Sequence, residues 1–128
     1  MPQLLPRIKP VYAHCDLPCG VYDPAQARIE AQSVKAVMEK YDGLDEQNKV
    51  RAVIIKEERS ELVKRHLMVL WADYFKPEHL ETYPDLHTIF WQAIKQAGAC
   101  KKSLDPSDAQ KLLDQIDAIA EIFWATKK

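Results

Sequence analysis

The chain reads as all-α, an up-down antiparallel four-helix bundle, on three observations. Apolar residues recur at the three-four spacing of a helix face in four separate stretches, and no alternating apolar run is long enough to argue for a strand. Two Asp-Pro pairs stand at the starts of such stretches, where the fixed φ of proline suits the first helical turn. The connections between stretches are short, which favours antiparallel neighbours.

Helix one starts at Asp23-Pro24-Ala25-Gln26. Asp23 can accept from a free backbone N–H, Pro24 suits the first helical position, and Gln26 can complete a capping box. Its apolar stripe is Ile29, Val34, Val37, Met38 and Tyr41, and Asp42-Gly43 supplies the stop. Helix two begins near Asp45 and continues to about Phe75, where Lys76-Pro77 ends it because the residue before proline avoids helical geometry. About thirty residues at 1.5 Å each make a rod of about 45 Å. Its middle, Lys56-Glu57-Glu58-Arg59-Ser60-Glu61, is charged all round and reads as a solvated face.

Helix three starts near Tyr83-Pro84 and carries Leu86, Ile89, Phe90, Ala93, Ile94 and Ala97, with Gly98 weakening its end. Helix four opens at Asp105-Pro106-Ser107-Asp108 and carries Ala109, Leu112, Leu113, Ile116, Ile119, Ala120 and Phe123. It runs to Lys127-Lys128, basic residues that suit the negative end of the helix dipole. Trp71 and Trp124 have apolar neighbours at helical spacing and read as packing residues. His66, His79 and His87 form no metal-like cluster, and Cys100 stands alone near a helix end as an unpaired thiol.

At 128 residues the chain is the size of one domain, which buries roughly two-thirds of the surface its unfolded form exposes. Its 18 basic and 19 acidic residues are interspersed and sum to −1, so no basic stripe points to nucleic acid. No apolar run approaches the ~18 residues of a membrane span. The first thirteen residues contain Pro2, Pro6 and Pro10 and lack a sustained apolar centre, a poor export signal that favours a cytoplasmic protein. That segment ends in Ala13, a small residue of the kind processing peptidases accept, directly before the densest chemistry in the chain. It reads either as a removable leader over 1–13 or as an N-terminal arm lying on the surface.

His14, Cys15 and Cys19 place an imidazole and two thiols within six residues, and Pro18 and Gly20 bend the chain around them. By spacing alone this is a Cys15–Cys19 disulfide, a thiol-redox pair, part of a zinc site completed from elsewhere, or a nickel or copper carrier site. No phosphate loop, H-E-x-x-H or Ser-His-Asp spacing supports another enzyme class.

The complete string His14-Cys15-Asp16-Leu17-Pro18-Cys19-Gly20-Val21-Tyr22, followed by Asp23-Pro24-Ala25-Gln26-Ala27-Arg28-Ile29-Glu30, resembles the N-terminus of mature nickel superoxide dismutases. The resemblance continues through Ile55-Lys56-Glu57-Glu58-Arg59, Leu70-Trp71-Ala72-Asp73-Tyr74-Phe75-Lys76-Pro77, Tyr83-Pro84-Asp85-Leu86-His87 and Ile122-Phe123-Trp124, so it covers nearly everything after Ala13. It implies a hook over 14–22 on a bundle over 23–128, one nickel per protomer, and assembly as a homohexamer.

The implied ligands are the Cys15 and Cys19 thiolates, the Cys15 backbone nitrogen, the His14 amine and, axially, the His14 side chain. Nickel(II) accepts square-planar nitrogen and sulfur donors, and anionic donors bring its oxidised state within reach. The amine exists only after a peptidase cleaves the Ala13–His14 bond. The implied reaction is disproportionation of superoxide to dioxygen and hydrogen peroxide as nickel cycles between +2 and +3. By the same resemblance Glu30 holds the second nitrogen of the axial imidazole, Arg59 pairs with Glu30, and Tyr22 gates the open face of the metal. Asp16 and Tyr74 are expected in the same hydrogen-bond network.

Overall fold

The computed structural model describes residues 20–127, and all of its regular structure is helical. Helix α1 is Ala25–Lys40, followed by a 3₁₀ turn at Tyr41–Gly43. Helix α2 is Glu46–Val69 and runs into a π turn at Leu70–Tyr74. A short α3, Pro77–Thr82, leads to α4, Leu86–Lys102, and α5, Pro106–Thr126. The long helices pack in a ring, α1 on α2, α2 on α4, α4 on α5 and α5 on α1.

Cross-helix contacts fix the directions. Arg28 Nε donates to Asp117 Oδ1 at 2.8 Å and Lys35 Nζ to Gln110 Oε1 at 2.8 Å, so α1 climbs as α5 descends. Lys56 of α2 meets Cys100 of α4 while Trp71 meets His87, which makes that pair antiparallel too. This is the up-down bundle expected, with α3 inserted between its second and third long helices.

Each helix contributes one stripe to a continuous core. In α1 the stripe is Ala27, Ala31, Val34 and Met38, at three-four spacing, with alanines that let the neighbouring backbones approach closely. Ile29, expected in that stripe, is 57% exposed, because it lies on the opposite side of the helix from Ala27 and Ala31. Val63, Leu67 and Leu70, then Leu86, Phe90, Ala93 and Ala97, then Leu112, Ile116, Ile119 and Phe123 complete the core.

Four further expectations are corrected. The second helix is not a single α rod to Phe75. It loosens into a π turn in which the Phe75 N–H donates to Leu70 O at 3.1 Å, and Pro77 then starts α3. The third helix does not weaken at Gly98 but continues to Lys102. A Cβ on Gly98 would stand 3.2 Å from Lys64 Nζ, so the glycine makes room for a side chain of α2. Trp71 and Trp124 are not core residues. They are 41% and 49% exposed, and Trp71 Nε1 donates to His87 Nδ1 at 2.8 Å.

The fourth correction concerns the charged middle of α2. Lys56 and Ser60 are buried, and Lys56 Nζ donates to Cys100 O at 3.0 Å, Lys101 O at 2.8 Å and Ser103 O at 2.6 Å. A lysine thus closes the C-terminus of α4, whose last carbonyls lack intrahelical partners and carry the negative end of the dipole. Glu61 of the same run pairs with Lys101. At the other end of the connection Asp105 Oδ1 accepts the Ser107 N–H at 2.9 Å, the expected cap of α5.

Cys100 is fully buried in the last turn of α4. Burial, and then the Asp108 carboxylate, push its thiol from 9.0 up to about 11, against the opposing pull of Lys56. The unfolded thiol releases its proton first, so stability falls as pH rises from 9.0 towards about 11. Cys100→Ala is expected to flatten that alkaline decline, measured as denaturation midpoint against pH; an unchanged slope would contradict the assignment. Iodoacetamide should modify Cys100 only after denaturation.

Candidate metal centre and its approach

His14, Cys15, Asp16 and Cys19, and the 1–13 leader boundary, lie outside the described residues. The described chain opens at Gly20 with φ +73°, the left-handed region that a side chain disfavours and glycine enters freely. The backbone therefore turns directly after Cys19. Val21 is 68% exposed, while Tyr22 is half-buried and packs on the core cluster. Asp23 Oδ1 then accepts the Ala25 N–H at 2.8 Å and starts α1. Tyr22 thus ties the segment after the cysteines to the bundle.

Its neighbour is Tyr74, with ring centroids 5.5 Å apart and tilted by 57°. Tyr74 comes from the π turn, where the extra residue in the turn rotates the side chain out of the register of a regular α2. Its ring is half-buried and packs against Phe123 at 4.5 Å, Phe75 at 5.0 Å and His79, stacked at 5.9 Å. Lys127 Nζ lies 5.0 Å from the ring centroid, within cation–π range. The Tyr74 hydroxyl contacts Thr126 Oγ1 at 2.6 Å.

Tyr22, Tyr74, His79, Thr126 and Lys127 wall a cleft of about 480 Å³ that also takes in Gly20, Asp73, Lys76 and Glu78. Its charges, Lys76 and Lys127 against Asp73 and Glu78, balance formally, so its selectivity rests on their placement. His79 Nδ1 accepts the Lys76 N–H at 3.0 Å, which makes the ring the cap of α3 as well as part of the cleft wall. Thr126, Lys127 and His79 were not singled out for this cleft by sequence. They come from the end of α5 and from a helix that the periodicity does not show.

The other pair of candidates meets across α1 and α2. Arg59 Nη1 lies 3.1 Å from Glu30 Oε2 and 3.5 Å from Oε1, and the Glu30 side chain is only 17% exposed. Partial burial makes this pair stronger than the usual surface ion pair. Neither residue lines the cleft of Tyr22 and Tyr74. The candidates thus gather in two places, Tyr22 with Tyr74 and Glu30 with Arg59.

Among the described residues no group of three or more His, Cys, Asp or Glu side chains is placed to hold a metal ion. The one thiol among them, Cys100, is buried and stays protonated at neutral pH. The donors that suit a soft transition metal are those of the hook, two thiols and an imidazole within six residues, which fit nickel by their chemistry.

Comparison with known proteins points to the same metal. The family of nickel-containing superoxide dismutases matches residues 9–127. A protein of Streptomyces seoulensis named Superoxide dismutase [Ni] is 60% identical over 124 residues, 96% of this chain and 94% of that protein. Its namesake in Streptomyces coelicolor is 60% identical over 119 residues, 92% of this chain and 91% of that protein. Among solved structures, a native nickel superoxide dismutase superposes with a TM-score of 0.88 at 59% identity, covering 90% of this chain and 100% of that one. Another, with nickel ligation corresponding to the oxidised state, gives a TM-score of 0.86 at 60% identity, over 89% and 98% of the two chains.

Proposed function

The chain belongs to the nickel-containing superoxide dismutases, and from that premise we propose that it converts superoxide to dioxygen and hydrogen peroxide at nickel held by His14, Cys15 and Cys19. The observation that carries the reading is the match to this family over 9–127, together with a donor set in the hook that suits nickel. When bound, nickel supplies the one-electron steps by which one superoxide is oxidised and a second, with two protons, is reduced. The chain supplies donors, proton control and selection of what enters. A carrier that holds nickel or copper without turnover is not favoured, since the curated relatives are superoxide dismutases.

In this reading the Cys15 and Cys19 thiolates, the Cys15 backbone nitrogen and the amine and imidazole of His14 hold one nickel per protomer. Glu30 accepts a hydrogen bond from the second nitrogen of that imidazole. Arg59 pairs with the Glu30 carboxylate and holds it in place. Tyr22 gates approach to the metal with Tyr74 behind it, and Asp16 belongs to the same network.

The amine requires a free N-terminus at residue 14, so a peptidase removes 1–13. Assembly as a homohexamer is supported by large apolar side chains on the single chain's surface, Val50, Ile54 and Trp91 being 62%, 59% and 61% exposed. Among the described residues no helix is long and apolar enough to cross a membrane. A cytoplasmic site of action rests on the leader's lack of a central apolar stretch.

Glu30→Gln tests the reading at the point where sequence and geometry meet. The variant should fold and hold nickel, because Gln keeps the shape and an oxygen acceptor. Turnover should fall by about 10- to 100-fold, the usual cost of losing a partner behind a metal ligand. Unchanged turnover and an unchanged reduction potential would contradict the role given to Glu30.

A further inference from the structure

The hydroxyl contacts at the end of α5 assign a direction to a proton. Thr126 Oγ1 lies 2.5 Å from Phe123 O, and Tyr74 Oη lies 2.6 Å from the same Thr126 oxygen. A carbonyl has no hydrogen, so Thr126 donates to Phe123. A threonine hydroxyl has one hydrogen and it is used there. The second contact is then a hydrogen bond only if Tyr74 donates and Thr126 accepts.

We propose that Thr126 is a positioning residue that holds the Tyr74 hydroxyl proton against the cleft wall, so that Tyr74 meets a small molecule there as an acceptor and not as a donor. The ring cannot swing to evade this, since Phe123, Phe75, His79 and Lys127 pack around it. The chemical consequence is discrimination among small species. A bare anion such as azide or a halide needs a donor to rest on, and Tyr74 offers none. Hydrogen peroxide carries hydrogens and can donate to the phenol oxygen. Lys76 and Lys127 share the cleft with Asp73 and Glu78, so its formal charge is balanced and retention of an anion turns on the donors its wall offers. The inference rests on the reading above, in which this cleft is the route of superoxide.

Thr126→Val keeps the shape of the side chain and removes the acceptor, freeing the Tyr74 proton to point into the cleft. In the processed, nickel-loaded protein, T126V should be inhibited by azide at about fivefold lower concentration, the gain expected from one added hydrogen bond. T126S should restore wild-type sensitivity, and in a Y74F background T126V should have no effect. In metal-free protein, the Tyr74 hydroxyl proton should exchange slowly enough to be seen by NMR in wild type and T126S, and should be lost in T126V. Unchanged azide sensitivity in a folded, nickel-bearing T126V, or no protected phenol proton in the wild type, would overturn the assignment. Absence of turnover in the wild-type loaded protein would instead fail the dismutase reading, and the NMR signal would still decide the role of Thr126.

Discussion

Cys19→Ser is expected to abolish nickel binding and lower superoxide turnover to the level of the metal-free protein, while the helical bundle remains folded. A thiolate is a soft anionic donor, and a serine hydroxyl at neutral pH is a neutral, hard one. Losing one of two thiolates also removes the anionic donation that brings the oxidised metal within reach. Cys15→Ser should behave alike. The bundle should not register either change, because the buried core among the described residues runs from Ala27 of α1 to Phe123 of α5 and is built from the helices. Metal analysis, superoxide turnover and circular dichroism on the same samples check this. The comparison of thermal midpoints belongs on metal-free protein, since nickel bound only by the folded state raises the midpoint by mass action. A serine variant that keeps nickel and turns over superoxide would contradict the hook as the metal site.

Lys56→Met is expected to lower stability by about 2–3 kcal/mol, the scale of losing charge-assisted hydrogen bonds to groups left largely buried. Methionine has nearly the length of lysine, so the channel through α2 and α4 stays filled and the loss reports on hydrogen bonding. Three carbonyl oxygens, of Cys100, Lys101 and Ser103, lose their donor at once. They stand where α4 gives way to the connection into α5, so fraying there also loosens the turn that Asp105 caps. Denaturant unfolding at neutral pH measures the effect. An unchanged midpoint would show that water replaces the lysine without cost.

Lys56 marks the limit of periodicity as a guide. The run from Lys56 to Glu61 is charged at nearly every position, so its pattern points to solvent. Nothing local distinguishes the lysine that reaches the end of another helix about 45 residues later from the glutamates beside it. The long helices were legible because their apolar residues repeat at the helix period and because Asp23, Gly43, Asp105 and Pro106 mark their ends. Helix α3 was not. Pro77 reads equally as a stop for the helix before it and a start for one after it, and six residues are too few to show a period. Ile29 departs for a different reason: it is the one large apolar residue between Ala27 and Ala31, but those two alanines form the buried face.

The site divides in the same way. The hook carries its chemistry in its residue types, but by spacing it remained one of several metal or disulfide arrangements until its longer context was included. Glu30 and Arg59 give no local signal of pairing, and only family resemblance pointed to a contact that the structure places at 3.1 Å. Thr126 and His79 are invisible to both routes, because their contacts depend on a π turn that sets Tyr74.

The account turns on a centre that the chain completes only when residue 14 becomes its N-terminus. Intact mass and metal content of the active protein test this together: the prediction is a chain beginning at His14 with about one nickel per protomer, the metal being lost when the thiols or the amine are blocked. A fully active protein that retains Met1 and contains no nickel would contradict it.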